Sequence, residues 1–364
     1  MSRLRVGVVG AGALGRHHAR IYSQLPSTEL VAVADTSPER GRAVADACKT
    51  RWFSDYRQLF GQVDAVSIAV PTVGHHAVAL EFLGRGIASM VEKPLASTAE
   101  QAVEIVEAAE RSRTTLQVGH VERFNPAYQE ARQLVSNPKY IHCERFSPYA
   151  FRSTDIGVVL DMMIHDLDLV LDLVGATPDK IEAFGVSILG ENEDCAQARL
   201  TFANGCVADL AANRVSPTTR RAMQIWSQTG CVSVDMASRE VIRYAPTERL
   251  LAGECVLDRA RQPGAEIDRL KAEIFTEYVR IERPPASPAD ALTAELSSFA
   301  DCVMDRQTPL VDGHAALAAM RTAERVLQSI AAHRWNGAAP SPVGPFVLPF
   351  VSNPIVPAAR RSAA

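Results

Sequence analysis

The sequence predicts an α/β domain with a doubly wound parallel sheet, followed by an α+β domain with an open, mainly antiparallel sheet. Three observations carry this expectation. Short apolar runs alternate with helical patterns over the first 120 residues, which implies parallel strands joined by right-handed crossovers. From about Asn125 the rhythm changes to successive strand-like segments around one long helix. The chain has 364 residues, and at roughly 150 residues per domain that length suggests two domains.

The elements follow in order. Leu4–Val9 is a short apolar strand, and a helix runs from the glycines after it to about Leu25. Leu30–Ala34 is the second strand, with a helix over Pro38–Ala47. Ala65–Val70 and Ala88–Val91 are strands, each followed by a helix, over His76–Leu83 and Thr98–Arg111. Thr115–Val118 closes this series. A helix over Pro126–Val135 and a strand at Tyr140–Phe146 lead into the long helix Ile156–Leu173. Strand segments then follow at Ile181–Leu189, Ala196–Phe202, Val207–Ala212, Met223–Ser227, Val232–Val234 and Val241–Tyr244. Asn204-Gly205 marks a hairpin between two of them. The stretch Leu250–Arg269 has no assignable pattern. Helices Ala289–Met304 and Gly313–Ala332 end the folded part. Six prolines after Asn336 predict an extended tail. The expected division is 1–122, 123–335 and a tail over 336–364.

Composition excludes several classes. Hydrophobic residues make up 47% and charged residues 22%, as in a globular protein. A net charge of −4 gives no global field for nucleic acid or anionic lipid. The richest apolar stretch, Val158–Val174, is broken by Asp161, His165, Asp166, Asp168 and Asp172, so no membrane span is expected. Seven cysteines without a C-x-x-C pair fit reduced thiols, and a cytoplasmic location is the expectation.

Gly10-Ala11-Gly12-Ala13-Leu14-Gly15 matches G-x-G-x-x-G between a strand and a helix, the context of a Rossmann dinucleotide site. The first glycine makes the turn, the second lets a pyrophosphate approach, and the third lets helix and strand pack. The helix N-terminus presents N–H groups to phosphate. Asp35 ends the second strand, where a carboxylate binds ribose hydroxyls and repels a 2′-phosphate, favouring NAD over NADP. Arg40 is a counter-signal. Glu92-Lys93-Pro94 follows the fifth strand, so Lys93 can point into the cleft beyond the strand ends. A plain surface lysine is the competing reading. On the long helix, Asp161, His165, Asp168 and Asp172 form a polar stripe. His165 can exchange a proton with a hydroxyl, and Asp161, one turn away, can orient it. A solvated acidic stripe and a metal site built from Asp161, His165 and Asp168 are the alternatives. No cysteine or second histidine supports the metal, and none is expected.

This ordered set resembles the Gfo/Idh/MocA oxidoreductases. The matching segments are the glycine loop, Asp35, Val70-Pro71-Thr72-Val73-Gly74-His75, Glu92-Lys93-Pro94-Leu95, Gly119-His120-Val121-Glu122-Arg123-Phe124-Asn125-Pro126 and Asp161-Met162-Met163-Ile164-His165-Asp166. The resemblance implies an NAD-dependent enzyme oxidising a secondary alcohol, with Lys93, Asp161 and His165 as the catalytic group. It implies cofactor contacts from Gly10, Gly12, Ala13, Leu14, Gly15, Asp35, Glu92 and Lys93, with Pro71 and His75 on the nicotinamide side. His76, beside His75, leaves open which histidine faces inward. Whether Lys93 or His165 takes the proton first is also open, because a desolvated lysine can act as base.

The segments Gly119–Pro126, Thr154–Asp168 and Asn204–Leu210 resemble more narrowly a bacterial group that oxidises the 3-hydroxyl of UDP-N-acetylglucosamine for lipid A precursors. That implies a UDP-linked substrate, and a PLP-dependent aminotransferase as pathway neighbour. Arg123, Asn125, Arg145 and Arg152 are the candidates for substrate contact, since arginine forks pair with phosphate. Another sugar, another nucleotide sugar or an inositol is the alternative substrate. A non-catalytic sugar-sensing regulator is the rival class. The uncovered strands imply a homo-oligomer, and the resemblance implies a homodimer or homotetramer.

Overall fold

The computed structural model describes residues 3–151, 155–189 and 191–335. The predicted tail over 336–364 and Arg152 lie outside the described residues. A six-stranded parallel sheet has the order β3-β2-β1-β4-β5-β6. Its strands are β1 (Leu4–Val9), β2 (Thr28–Ala34), β3 (Arg51–Phe53), β4 (Ala65–Ile68), β5 (Ala88–Glu92) and β6 (Leu116–Gly119). Helices α1 (Gly15–Gln24), α2 (Pro38–Ala47), α3 (Thr72–Leu83) and α4 (Ala99–Ser112) make the crossovers. The central strands are covered on both faces: β4 and β5 are buried at every residue, mostly apolar but with Ser67, Ser89 and Glu92 among them. Strand order reverses between β1 and β4, and the carboxyl ends of the strands open a cleft there.

The chain then passes through α5 (Pro126–Leu134) into an eight-stranded mixed sheet of order β14-β13-β12-β11-β7-β10-β9-β8. Its strands are β7 (Tyr140–Phe146), β8 (Lys180–Val186), β9 (Cys195–Thr201), β10 (Val207–Asn213), β11 (Arg220–Ser227), β12 (Gly230–Asp235), β13 (Glu240–Pro246) and β14 (Val279–Glu282). Only β7 and β10 pair in parallel; the other neighbours are antiparallel. One face packs Ile141, Leu200, Leu210, Met223 and Ile225 against Met163, Leu167, Val170 and Val326. The opposite face carries Phe184, Trp226 and Ile281, each more than a third exposed.

Several elements depart from the sequence reading. The long helix divides into a π-turn over Val159–Met163 and α6 (Ile164–Val174). Helix α3 begins at Thr72 because Pro71 stands at its N-cap. The unassigned stretch holds α7 (Glu248–Leu251), α8 (Val256–Ala260) and α9 (Ile267–Glu273), with a second π-turn at Ile274–Tyr278 leading into the unforeseen β14. Strand β3 was also unforeseen. Helix α10 (Ala291–Asp305) packs Leu296, Phe299 and Ala300 onto the first sheet, against Val6, Val8 and Met90. Helix α11 (Gly313–Ala332) serves both cores, with Ala316 and Met320 in the first and Val326 and Ile330 in the second.

Candidate active site

The glycine loop is shaped by close approach. Gly10 has φ +95, and a Cβ there would sit 2.5 Å from the Ala69 carbonyl oxygen. A Cβ at Gly15 would sit 1.8 Å from the Gly10 carbonyl oxygen. At Gly12 a Cβ would meet nothing within 4 Å, so this side of the loop is free for a ligand. Leu14 begins α1 without a side-chain cap, which leaves its first turn able to bind an anion. The loop borders a cavity of about 550 Å³ that Gly10, Gly12, Ala13, Leu14, Asp35, Arg40 and Pro71 help to line. The Asp35 carboxylate accepts from the Ala11 and Ser37 N–H groups, each at 2.7 Å, and lies 3.3 Å from the Arg40 guanidinium. These features fit a dinucleotide with a ribose at Asp35.

At the end of β5, Glu92 is buried 3.0 Å from His18 Nε2, and the Lys93–Pro94 peptide is cis. Lys93 Nζ donates to the backbone oxygen of Asp161 at 2.5 Å and lies 3.2 Å from its Oδ1. The carboxylate expected to orient His165 is therefore engaged with the lysine. The π-turn delivers this arrangement: Glu193 holds its start through the Val158 and Val159 N–H groups, and π-turns often sit at functional sites. His165 follows on the same wall. Desolvation, then the nearby charges of Lys93 and Arg145, push its pKa well below the ordinary value, which favours the neutral ring. Its ring lies 6.4 Å from that of His120, which burial holds down at about 3. Glu92, Lys93, Asp161 and His165 share a second cavity, of about 280 Å³, with Tyr149, Arg145, Arg214 and Arg221. Leu14 borders both cavities, so the cofactor cleft and the reacting groups adjoin.

Other candidates are committed to the framework. Arg123 pairs with Asp168 at 2.9 Å and with Asp172, all three largely buried. Asn125 caps α5 through the Ala127 N–H and donates to Glu122 and the Met236 carbonyl. Arg145 borders the cavity, but it forks onto Asp166 (3.0 and 2.7 Å) and reaches Glu122 at 2.8 Å. The polar stripe is thus not a solvated face: its lower part is an ion-pair network inside the protein. His75 is buried, with its ring nitrogens 2.9 Å from the Val70 oxygen and 2.8 Å from the Pro94 oxygen. It clamps two strand-end loops, while His76 turns outward to Glu104. Sequence reasoning missed Arg214, Arg221 and Tyr149 at the cavity. Their one signal was position, at the ends of β10, β11 and β7, which matters only once the sheet order is known.

The glycine cradle, the carboxylate ending β2 and the adjoining lysine–aspartate–histidine cavity fit an NAD-dependent oxidoreductase acting on CH–OH groups, the class that the family and its curated relatives give. Residues 4–120 match the model of the oxidoreductase family with NAD-binding Rossmann fold, and 128–233 match the GFO/IDH/MocA C-terminal domain. The chain belongs to the Gfo/Idh/MocA family. It is 34% identical over 333 residues to UDP-N-acetylglucosamine 3-dehydrogenase from Acidithiobacillus ferrooxidans, covering 91% of this chain and 99% of that one. The solved structure of that enzyme, GnnA, superposes with a TM-score of 0.79 over the same shares. A scyllo-inositol 2-dehydrogenase (NAD(+)) from Bacillus subtilis is 30% identical over 59% of this chain and 68% of its own length. An oxidoreductase from Agrobacterium radiobacter, solved with NAD+, L-tartaric acid and magnesium, shares the fold at 16% identity and TM-score 0.76, over 92% of this chain and 98% of that one. No helix of the described residues is long and apolar enough to cross a membrane.

Proposed function

We propose that this protein oxidises the 3-hydroxyl of UDP-N-acetylglucosamine to the 3-keto sugar, using NAD, in the supply of lipid A precursors. The observation that carries the reading is similarity to a UDP-N-acetylglucosamine 3-dehydrogenase along 91% of the chain, combined with a reacting cavity that adjoins the cofactor cleft at Leu14.

Gly10, Gly12, Ala13, Leu14 and Gly15 hold the cofactor phosphates, Asp35 holds the adenosine ribose, and Pro71 borders the nicotinamide end. Nicotinamide, when bound, supplies the acceptor for the hydride leaving the sugar carbon. The protein's own groups handle the proton. His165, held neutral by desolvation and nearby cations, takes the hydroxyl proton. Lys93, steered by Asp161, hydrogen-bonds the same oxygen and stabilises the negative charge that develops as the proton leaves. Glu92 supports the lysine segment from below through its pairing with His18.

The 3-keto product is a substrate for amination, so a PLP-dependent aminotransferase is the expected neighbour, and both would work in the cytoplasm. The enzyme acts as a homodimer or homotetramer through the open face of the eight-stranded sheet, where Phe184, Trp226 and Ile281 are exposed. The test is incubation of UDP-N-acetylglucosamine with NAD, trapping the ketone with such a transaminase and glutamate. Reduced cofactor and an aminated sugar are expected. No turnover there, with clear turnover of inositol or free glucose, refutes the substrate assignment.

A further inference from the structure

The reacting cavity encloses about 280 Å³, at or just below the small end of the roughly 300–1,000 Å³ range of ligand pockets. It suits a hexose ring. A nucleotide sugar entering sugar-first extends beyond it, so its phosphates and base must lie along the mouth. A diphosphate there needs a cation that the fold has not already neutralised.

Four cationic side chains border the cavity. Lys93 is held by Asp161. Arg145 is buried and forked onto Asp166 and Glu122. Arg214 donates to Asp194 at 2.8 Å and to the Ile156 oxygen at 2.7 Å. Arg221 differs. Its side chain is 46% exposed, and its ion pair with Glu122 Oε1, at 3.8 Å, is too long for a hydrogen bond, so it is the least firmly held of the four. That oxygen already accepts from Arg145 at 2.8 Å. Arg221 is the direct cross-strand partner of Arg145, so it stands on the cavity face of β11. Its neighbour Arg220 pairs with Phe146, the last residue of β7, and the segment leading out of β7 carries Tyr149, which lines the same cavity as Arg221. Phe151, 86% exposed, packs edge-on to the Tyr149 ring at 5.0 Å, and the Arg214 guanidinium lies 5.4 Å from that ring's centre. Tyr149 is partly exposed, and these two neighbours fix its ring at the cavity, where an aromatic side chain can stack with a base.

The geometry points to Arg221 as the diphosphate ligand and Tyr149 as the base platform of a nucleoside-diphosphate-sugar subsite at the mouth of the reacting cavity. The inference rests on the function proposed above and deepens it: the substrate is read at its nucleotide end by residues that a free sugar or inositol would not reach.

The test measures UDP binding to the NAD-loaded full-length protein by calorimetry, alongside kcat and KM for UDP-N-acetylglucosamine. Losing a hydrogen bond to a charged group should weaken UDP binding and raise KM by about tenfold or more in Arg221→Gln, with kcat and NAD affinity little changed. Arg221→Lys should recover part of the loss. Tyr149→Ala should weaken UDP binding, and Tyr149→Phe should not. NAD affinity and far-UV circular dichroism report whether each variant is folded. Unchanged UDP affinity in folded Arg221→Gln, in an enzyme that turns over UDP-N-acetylglucosamine, overturns the subsite and leaves the proposed function standing. A wild-type protein that neither binds UDP nor oxidises the UDP-sugar removes both.

Discussion

Replacing Arg145 with methionine tests whether the buried arginines act as framework. Arg145, Glu122 and Asp166 are 4%, 5% and 3% exposed. The guanidinium makes three charge-assisted bonds of 2.7–3.0 Å to the two carboxylates. Methionine keeps most of the volume and removes the charge, leaving two buried carboxyls without their main partner. Removing one member of a buried ion pair costs about 3–5 kcal/mol, a large share of the roughly 5–15 kcal/mol that holds a domain folded.

The sign of the pH dependence follows from the same groups. In the intact protein burial pushes Asp166 up, with Arg145 opposing. Burial also acts on Glu122, but Arg145 holds it below the usual carboxylate range. Without the arginine both folded-state values rise above the unfolded ones. A raised carboxyl penalises the folded state above its unfolded pKa of about 4, by about 1.4 kcal/mol for each tenfold gain in proton affinity on folding, and the penalty fades as pH falls towards that value. Urea unfolding followed by circular dichroism should show a deficit of about 3–5 kcal/mol near pH 8, shrinking clearly near pH 5.5. A deficit under about 1 kcal/mol, or one equal at both pH values, would refute the reasoning. A stable variant with only a raised KM would return Arg145 to the substrate.

Other outcomes follow from the site. His165→Ala and Lys93→Met should each lower kcat by about 10²–10⁴-fold, with NAD affinity nearly unchanged by fluorescence titration; near-normal turnover removes that residue from the chemistry. Because His165 is held below the ordinary histidine value, its base form persists into mild acid, and kcat/KM should fall only as pH drops below about 6.5. An acid limb at or above that value contradicts a depressed base. Asp35→Ser should weaken NAD use and shift the NAD-to-NADP ratio of kcat/KM towards NADP, since it frees Arg40 for a 2′-phosphate; an unchanged ratio argues against Asp35 as the selector. Light scattering at micromolar concentration should give a dimer or tetramer, and a monomer would leave the open sheet face unexplained.

The first sheet was legible because buried parallel strands read as continuous apolar runs, and because the glycine loop marks the turn after β1. Strand-end position put Lys93 at the cleft and helical spacing put Asp161 one turn from His165, but only the family resemblance joined the three in one group. The pairing within it could not: an i+4 rule joins Asp161 to His165, whereas the π-turn and the strand-end lysine join Asp161 to Lys93. Arg123, Asn125 and Arg145 look like free polar groups in a string of letters. Their partners Asp168, Glu122 and Asp166 are fixed only by how α6, β7 and the segment before α5 meet. Strand β3 was missed because Arg51-Trp52-Phe53 is too short to show a period.

Helices α10 and α11 finish hydrophobic layers that the amino-terminal sheet began about 200 to 300 residues earlier, Phe299 sharing one layer with Val6 and Met320 another with Val118. On a ribosome, the cofactor half emerges long before the side chains that seal it. A fragment ending at residue 122 would expose Val6, Val8 and Met90 to water and should aggregate or bind chaperones. Native assembly must wait for contacts of very large sequence separation, which slows folding. The same late closure ties the nucleotide half and the sugar half into one cooperative unit, so melting of either should be felt by both.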